Sequence, residues 1–128
     1  MDRPLEHVLC VDDEEDILEI VKLCLENVGQ IKVTCDSNVA HAIDTIGEIH
    51  PDIVLLDMMM PHINGISAIP LFRNVVGFKN LPIILITARV QSREVQEYLA
   101  SGATAVITKP FDPMKLADQV VAIWEALP

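Results

Sequence analysis

Short runs of Val, Ile and Leu recur along the chain, separated by longer stretches in which apolar residues return every three or four positions. The runs are His7 to Val11, Ile31 to Cys35, Ile53 to Leu56, Ile83 to Thr87 and Ala105 to Thr108. Ile53-Val54-Leu55-Leu56 and Ile83-Ile84-Leu85-Ile86 lack polar alternation, which predicts strands covered on both faces, as in a parallel sheet. Between the runs, Glu14 to Val28 sets Ile17, Val21, Cys24 and Val28 on one helical stripe that stops at Gly29. Asn38 to Ile49 repeats Val39, Ala42/Ile43, Ile46 and Ile49, with Ser37 in position to cap it. A third helix is expected from Ile66 to Val76, with Pro70 near its first turn because proline lacks the amide donor a helix interior needs. A fourth runs from Ser92 to Ser101. The fifth starts at the Asp112-Pro113 cap and turns Leu116, Val120, Ile123 and Leu127 inward. Strand and helix alternate throughout, which is the pattern of a doubly wound (βα)5 α/β fold with a five-stranded parallel sheet.

Length narrows the picture to one domain over residues 1–128, and 51% hydrophobic residues supply its core. Nine Lys and Arg against 19 Asp and Glu leave a formal charge of −10. Direct nucleic-acid binding, which draws its affinity from Lys and Arg displacing counterions, is therefore excluded as an expectation. An acidic surface suits a cation or a basic protein patch. No segment approaches the roughly 20 uninterrupted apolar residues of a membrane span, so no membrane insertion is expected. Cys10, Cys24 and Cys35 lie in apolar surroundings without metal-ligand spacing and read as reduced core residues of a cytoplasmic chain.

In an open parallel sheet, ligands sit beyond the carboxyl ends of the strands. The residues there are Asp12 and Asp13 after the first run, Asp57 after the third, Thr87 at the end of the fourth and Lys109 after the fifth. Singly each has an ordinary reading, since Asp12-Asp13-Glu14-Glu15-Asp16 is also what a helix N-terminus favours. Together, three carboxylates at one edge repel and raise one another's pKa unless a cation neutralises them. Lys109 offers one charge, and a divalent ion offers two. Carboxylates are the hard oxygen donors that Mg²⁺ prefers, with Mn²⁺ as a substitute, whereas His7, His41, His50 and His62 show no spacing for Zn²⁺. A carboxylate beside Mg²⁺ can attack phosphorus, and Asp57 is centrally placed to do so.

These motifs, Val11-Asp12-Asp13, Leu56-Asp57-Met58-Met59-Met60-Pro61 with Asn64-Gly65, Ile86-Thr87-Ala88 and Thr108-Lys109-Pro110-Phe111, resemble the receiver domain of two-component response regulators, the CheY-like family. The resemblance covers essentially the whole chain. It implies the flavodoxin-like strand order 2-1-3-4-5. It implies Mg²⁺ held by Asp12, Asp13, Asp57 and the backbone carbonyl of Met59, and Asp57 as phosphoacceptor. Thr87 and Lys109 would engage phosphoryl oxygens, with a cis peptide at Lys109-Pro110. Arg89 and Met59 would flank the phosphoryl entrance and tune its lifetime. Where the family often has Tyr or Phe, this sequence has Val106, which leaves no large ring to relocate as part of the switch.

The implied function is a phosphorelay switch rather than a turnover enzyme. A sensor histidine kinase or histidine phosphotransfer protein would supply the phosphoryl group. A downstream protein, or a C-terminal output domain lying beyond this sequence, would read the result. The switch would work as a monomer or weak dimer, with helix four, strand five and helix five as the output face; Tyr98, Val106 and Trp124 are its candidate contributors, and Tyr98 and Trp124 read equally as semi-buried packing residues. The alternative is a receiver-like interaction module that works without phosphorylation. An aspartate-nucleophile phosphatase would want a second acid at position 59, where Met59 stands. A nucleotide carrier would want glycines where Asp12-Asp13 stand.

Overall fold

The computed structural model describes residues 1–128. Five parallel strands, β1 (His7–Val11), β2 (Lys32–Asp36), β3 (Ile53–Asp57), β4 (Ile83–Thr87) and β5 (Ala105–Thr108), form one sheet in the order β2-β1-β3-β4-β5. Helices α1 (Glu15–Leu23), α2 (Val39–Ile49), α3 (Gly65–Arg73), α4 (Ser92–Ala100) and α5 (Leu116–Glu125) cover its two faces.

The period-2 geometry of the strands divides their side chains between two apolar layers. Val8, Cys10, Ile53, Leu55, Ile84 and Ile86 pack with residues of α1 and α5. Leu9, Val11, Val54, Leu56, Ile83 and Leu85 pack with residues of α2, α3 and α4. Both faces of the central strands are thus covered, which is why those strands carry unbroken apolar runs.

Several local expectations are corrected. The first helix is not one α-helix to Val28: after Leu23 it widens into a π-helical turn over Cys24–Val28. Leu25 accepts the Ile31 amide at 2.9 Å, and the Glu26 carboxylate receives both Lys22 Nζ and the Val33 amide. This tie to β2 shifts the buried stripe to Leu18, Val21 and Leu25 and leaves Val28 53% exposed. Asn38, not Ser37, caps α2 by accepting the His41 amide. Pro70 lies in the second turn of α3, whose start is set by the Asn64 side chain accepting the Ser67 amide, and the helix ends at Arg73. Asp112 caps a separate turn through the Met114 amide, and α5 begins only at Leu116.

Of the two roles open to Trp124, packing or output surface, the structure shows packing: it is 2% exposed and anchors the core. Its indole Nε1 donates to the Arg3 carbonyl at 2.7 Å, and the Arg3 guanidinium lies 5.0 Å from the ring centroid. Arg3 also pairs with Asp52 at 2.7 Å, whose other oxygen accepts the Glu6 and His7 amides. The chain ahead of β1 is thereby stapled across the amino edge of the sheet. Tyr98 is likewise buried. Replacing Trp124 with Ala removes the indole from this packing and should lower the unfolding free energy by about 3–5 kcal/mol, read as a lower urea midpoint with an unchanged slope.

Candidate functional site

The carboxyl edge of the sheet gathers the charged residues. β3 runs one residue beyond the expected Leu56, so Asp57 is itself a sheet residue in register with Ile86 of β4. A carboxylate rooted in a central strand has little freedom to retreat from its neighbours. Asp12 directly follows β1, and its amide continues the ladder by donating to the Asp36 carbonyl at 3.1 Å. Asp13 is exposed at the mouth, while Asp12 and Asp57 are buried. One carboxylate oxygen from each of Asp12, Asp13 and Asp57 lies within 4.8 Å of the others.

Lys109, after β5, reaches into this cluster. Its Nζ donates to Asp12 Oδ2 at 3.1 Å and to Glu14 Oε1 at 3.3 Å, and lies 3.6 Å from Asp57 Oδ1. Its backbone is held by its amide donating to the Thr87 carbonyl at 2.8 Å, and the Lys109-Pro110 peptide is cis. Four carboxylates, counting Glu14, thus face one ammonium. Burial, the Asp12 charge and, more weakly, Asp13 push the Asp57 carboxyl up from 3.8 to about 6 against the opposing pull of Lys109. Burial also raises Asp12, opposed by the Glu14 amide and Lys109. Burial pulls the Lys109 ammonium down, but its hydrogen bond to Asp12 and the surrounding carboxylates raise it overall.

Asp12, Asp13, Asp57 and Lys109 therefore come together, and Thr87 joins them at the same edge as the buried last residue of β4. Its Oγ1 accepts the Arg89 amide at 3.1 Å, which leaves the hydroxyl proton free to donate. Met59 sits in the loop after β3, its amide 3.4 Å from Asp57 Oδ1 and its side chain 69% exposed. Arg89 is exposed in the loop before α4. Val106 lies outside the cluster, half-buried within β5 opposite Leu85.

Two supporting residues were not singled out from the sequence for these roles. Glu14 is one of the Lys109 partners, and its only sequence signal is membership of the acidic run. Gly65 lets the start of α3 close on the acceptor strand: its amide donates to the Met58 carbonyl at 2.9 Å. A Cβ there would lie 2.7 Å from Leu85 Cδ2 and 3.3 Å from the Asp57 carbonyl oxygen.

The fold and this edge have clear counterparts among known proteins. Residues 8–121 match the family model of the response regulator receiver domain. Response regulator Rre1 of Synechocystis is 34% identical over 109 residues, 85% of this chain and 47% of that protein. The DNA-binding response regulator MtrA of Mycobacterium tuberculosis is 34% identical over 122 residues, 95% of this chain and 52% of that protein. The chain spans about half the length of these curated relatives. Among solved structures, chemotaxis response regulator CheY4 of Vibrio cholerae superposes with a TM-score of 0.84 at 27% identity, covering 93% of this chain and 98% of that one. No helix is long and apolar enough to cross a membrane. With the strand order, the acidic edge and the family match in agreement over most of its length, the chain belongs to the response regulator receiver domains of two-component signalling.

Proposed function

We propose that Asp57 accepts a phosphoryl group from a phosphohistidine on a sensor kinase or phosphotransfer protein, and that the modified edge then alters contacts with a downstream protein or an output domain. The observation that carries this reading is the convergence on Asp57: a buried carboxylate at a strand end, with an ammonium 3.6 Å away and two further carboxylates beside it. In the transfer, an Asp57 oxygen forms a bond to phosphorus as the P–N bond breaks, and the departing imidazole leaves neutral once protonated. Lys109 offsets charge on the phosphoryl oxygens, and the Thr87 hydroxyl donates to one of them. The chain reacts once per phosphorylation and is a switch rather than a turnover enzyme.

The donor set suits a hard divalent cation, because the side chains clustered with Asp57 are carboxylates and the cluster's formal charge is far from balanced by Lys109. Asp12, Asp13 and Asp57, with the Met59 carbonyl, would hold Mg²⁺ or Mn²⁺. When bound, the ion would neutralise charge on the carboxylates and on the incoming phosphoryl group. Met59, whose amide lies 3.4 Å from Asp57 Oδ1, and the exposed Arg89 would flank the approach to Asp57 and set the lifetime of the acyl phosphate. With Val106 in place of a ring, the signal passes through Thr87 and the Arg89 amide bound to it, into the loop that leads to α4.

Intact-protein mass spectrometry after incubation with acetyl phosphate and Mg²⁺ should show a gain of about 80 Da, the mass of one phosphoryl group. The gain should vanish in Asp57→Asn and fall sharply without Mg²⁺. A folded wild-type protein that gains no mass would overturn the reading and favour an interaction module independent of phosphorylation.

The same carboxylate has a thermodynamic signature. Its folded pKa is raised, so the native state binds more protons than the unfolded chain between pH 3.8 and about 6. Stability from this group is therefore full below that window and is lost as pH rises through it. Asp57→Asn, which cannot ionise, should be more stable than wild type at pH 7.5 by on the order of 2 kcal/mol, with the difference vanishing near pH 4. Adding Mg²⁺ should stabilise wild type more than the variant. Paired urea titrations at the two pH values check both statements.

A further inference from the structure

We propose that the groove between α2 and α3 is a docking site for a helix of a partner protein, one that inserts an apolar side chain and flanks it with Lys or Arg. The groove encloses about 290 Å³. Val39, Ala40 and Ile43 of α2, Met60 and Ile63 of the loop after β3, and Leu71 of α3 line it. Leu71 is 44% exposed, although it belongs to a helix whose neighbouring residues Ile69 and Phe72 are fully used in the core. A concave apolar site bounded by two helices is the shape that receives one face of an amphipathic helix.

The charge of this face selects the partner. From Val33 to Phe72 the sequence contains neither Lys nor Arg. The next cation, Arg73, is turned away and spent on the carbonyls of Leu81 and Gly102. Asp44 lies one helical turn beyond Ala40, and Glu48 one turn beyond Asp44, so exposed carboxylates run along the α2 rim. The nearby histidines do not reverse this sign: His41 is engaged by Asp36, and His62 lies on the opposite, loop side of the groove. A basic helix is complementary to this surface and an acidic one is repelled.

Gly47 is an independent pointer. It lies inside α2 one turn beyond Ile43, where glycine weakens a helix. A Cβ at this position would meet nothing within 4 Å, so no packing within the chain requires the glycine. It lies just beyond the lining residue Ile43, and its bare, exposed backbone would let an incoming helix approach α2 closely. None of these residues takes part in chemistry at Asp57, so this site stands or falls separately from phosphorylation.

The probes are a synthetic amphipathic peptide with one leucine stripe flanked by lysines, and a twin in which glutamates replace the lysines. In amide NMR titrations of the full chain, the lysine peptide should shift resonances of Ala40, Ile43, Gly47, Met60 and Ile63, with the glutamate twin at least about tenfold weaker. Leu71→Glu should weaken the lysine peptide about tenfold. Because that change adds negative charge, a merely electrostatic association would instead be strengthened. Asp44→Lys combined with Glu48→Lys should weaken it comparably. All three side chains are exposed or half-exposed, and thermal melts verify that the variants fold. Failure of the lysine peptide to bind would overturn the proposal, as would shifts centred on α1 or α4, equal binding of the glutamate twin, or undiminished binding by Leu71→Glu.

Discussion

A single ammonium holding carboxylates together at a rigid sheet edge is the constraint around which this molecule is built. Lys109 reaches Asp12, Glu14 and Asp57 at once, and the Asp57 carboxyl is still raised to about 6. Left to themselves, like charges at this spacing would separate or take up protons. They cannot separate, because Asp57 is part of β3 and Asp12 is tied to Asp36 at the end of β1. The site therefore keeps an unsatisfied demand for positive charge, and that demand makes it responsive to whatever arrives there.

The rest of the fold supplies the rigidity this needs, mostly from the other end. At the amino edge, Arg3, Asp52 and Trp124 lock the chain ahead of β1. Arg73 joins the end of α3 to the Leu81 carbonyl and to the Gly102 carbonyl between α4 and β5, and Thr104 accepts the Ile83 amide beside it. At the carboxyl edge the long-range side-chain ties converge on Lys109, while the loops expose Asp13, Met59 and Arg89. The hydrogen-bonded staples and the crowded carboxylates thus lie at opposite ends of the strands.

What could be read from the sequence follows the range of each interaction. The strands and the parallel sheet were legible because short unbroken runs of Val, Ile and Leu suit a strand covered on both faces and little else. The strand-end carboxylates followed from where those runs stop. The π-helical turn after Leu23 was not legible, because it answers a tie between Glu26 and Val33 across a loop. The Asn38 cap was a near miss: Ser37 and Asn38 are both good capping residues, and only backbone direction distinguishes them. For Trp124 the helical stripe left a packing role and a surface role both open, and the structure gives it the packing role, with an indole partner, Arg3, 121 residues away in sequence. Glu14 stayed hidden in an acidic run that a helix N-terminus favours without any lysine. Short-range pattern fixes which residues sit at the edge, whereas long-range pairing decides which of them share a charge.

The position of Val106 follows from the same separation. α4 buries only Tyr98 within its span, and Gln91, the residue just before it, makes no side-chain cap. Its far end is anchored, with the Gly102 carbonyl held by Arg73. The short loop carrying Arg89, whose amide is bound to the Thr87 hydroxyl, joins the other end of α4 to the acidic edge. In such an arrangement a relocating ring at position 106 is not needed to reach the surface. The half-buried valine there packs β5 beneath α4, and its stiff χ1 gives the strand little conformational slack. On the reading proposed above, the absent aromatic leaves the backbone route from Thr87 to the start of α4 intact, because that route does not pass through β5.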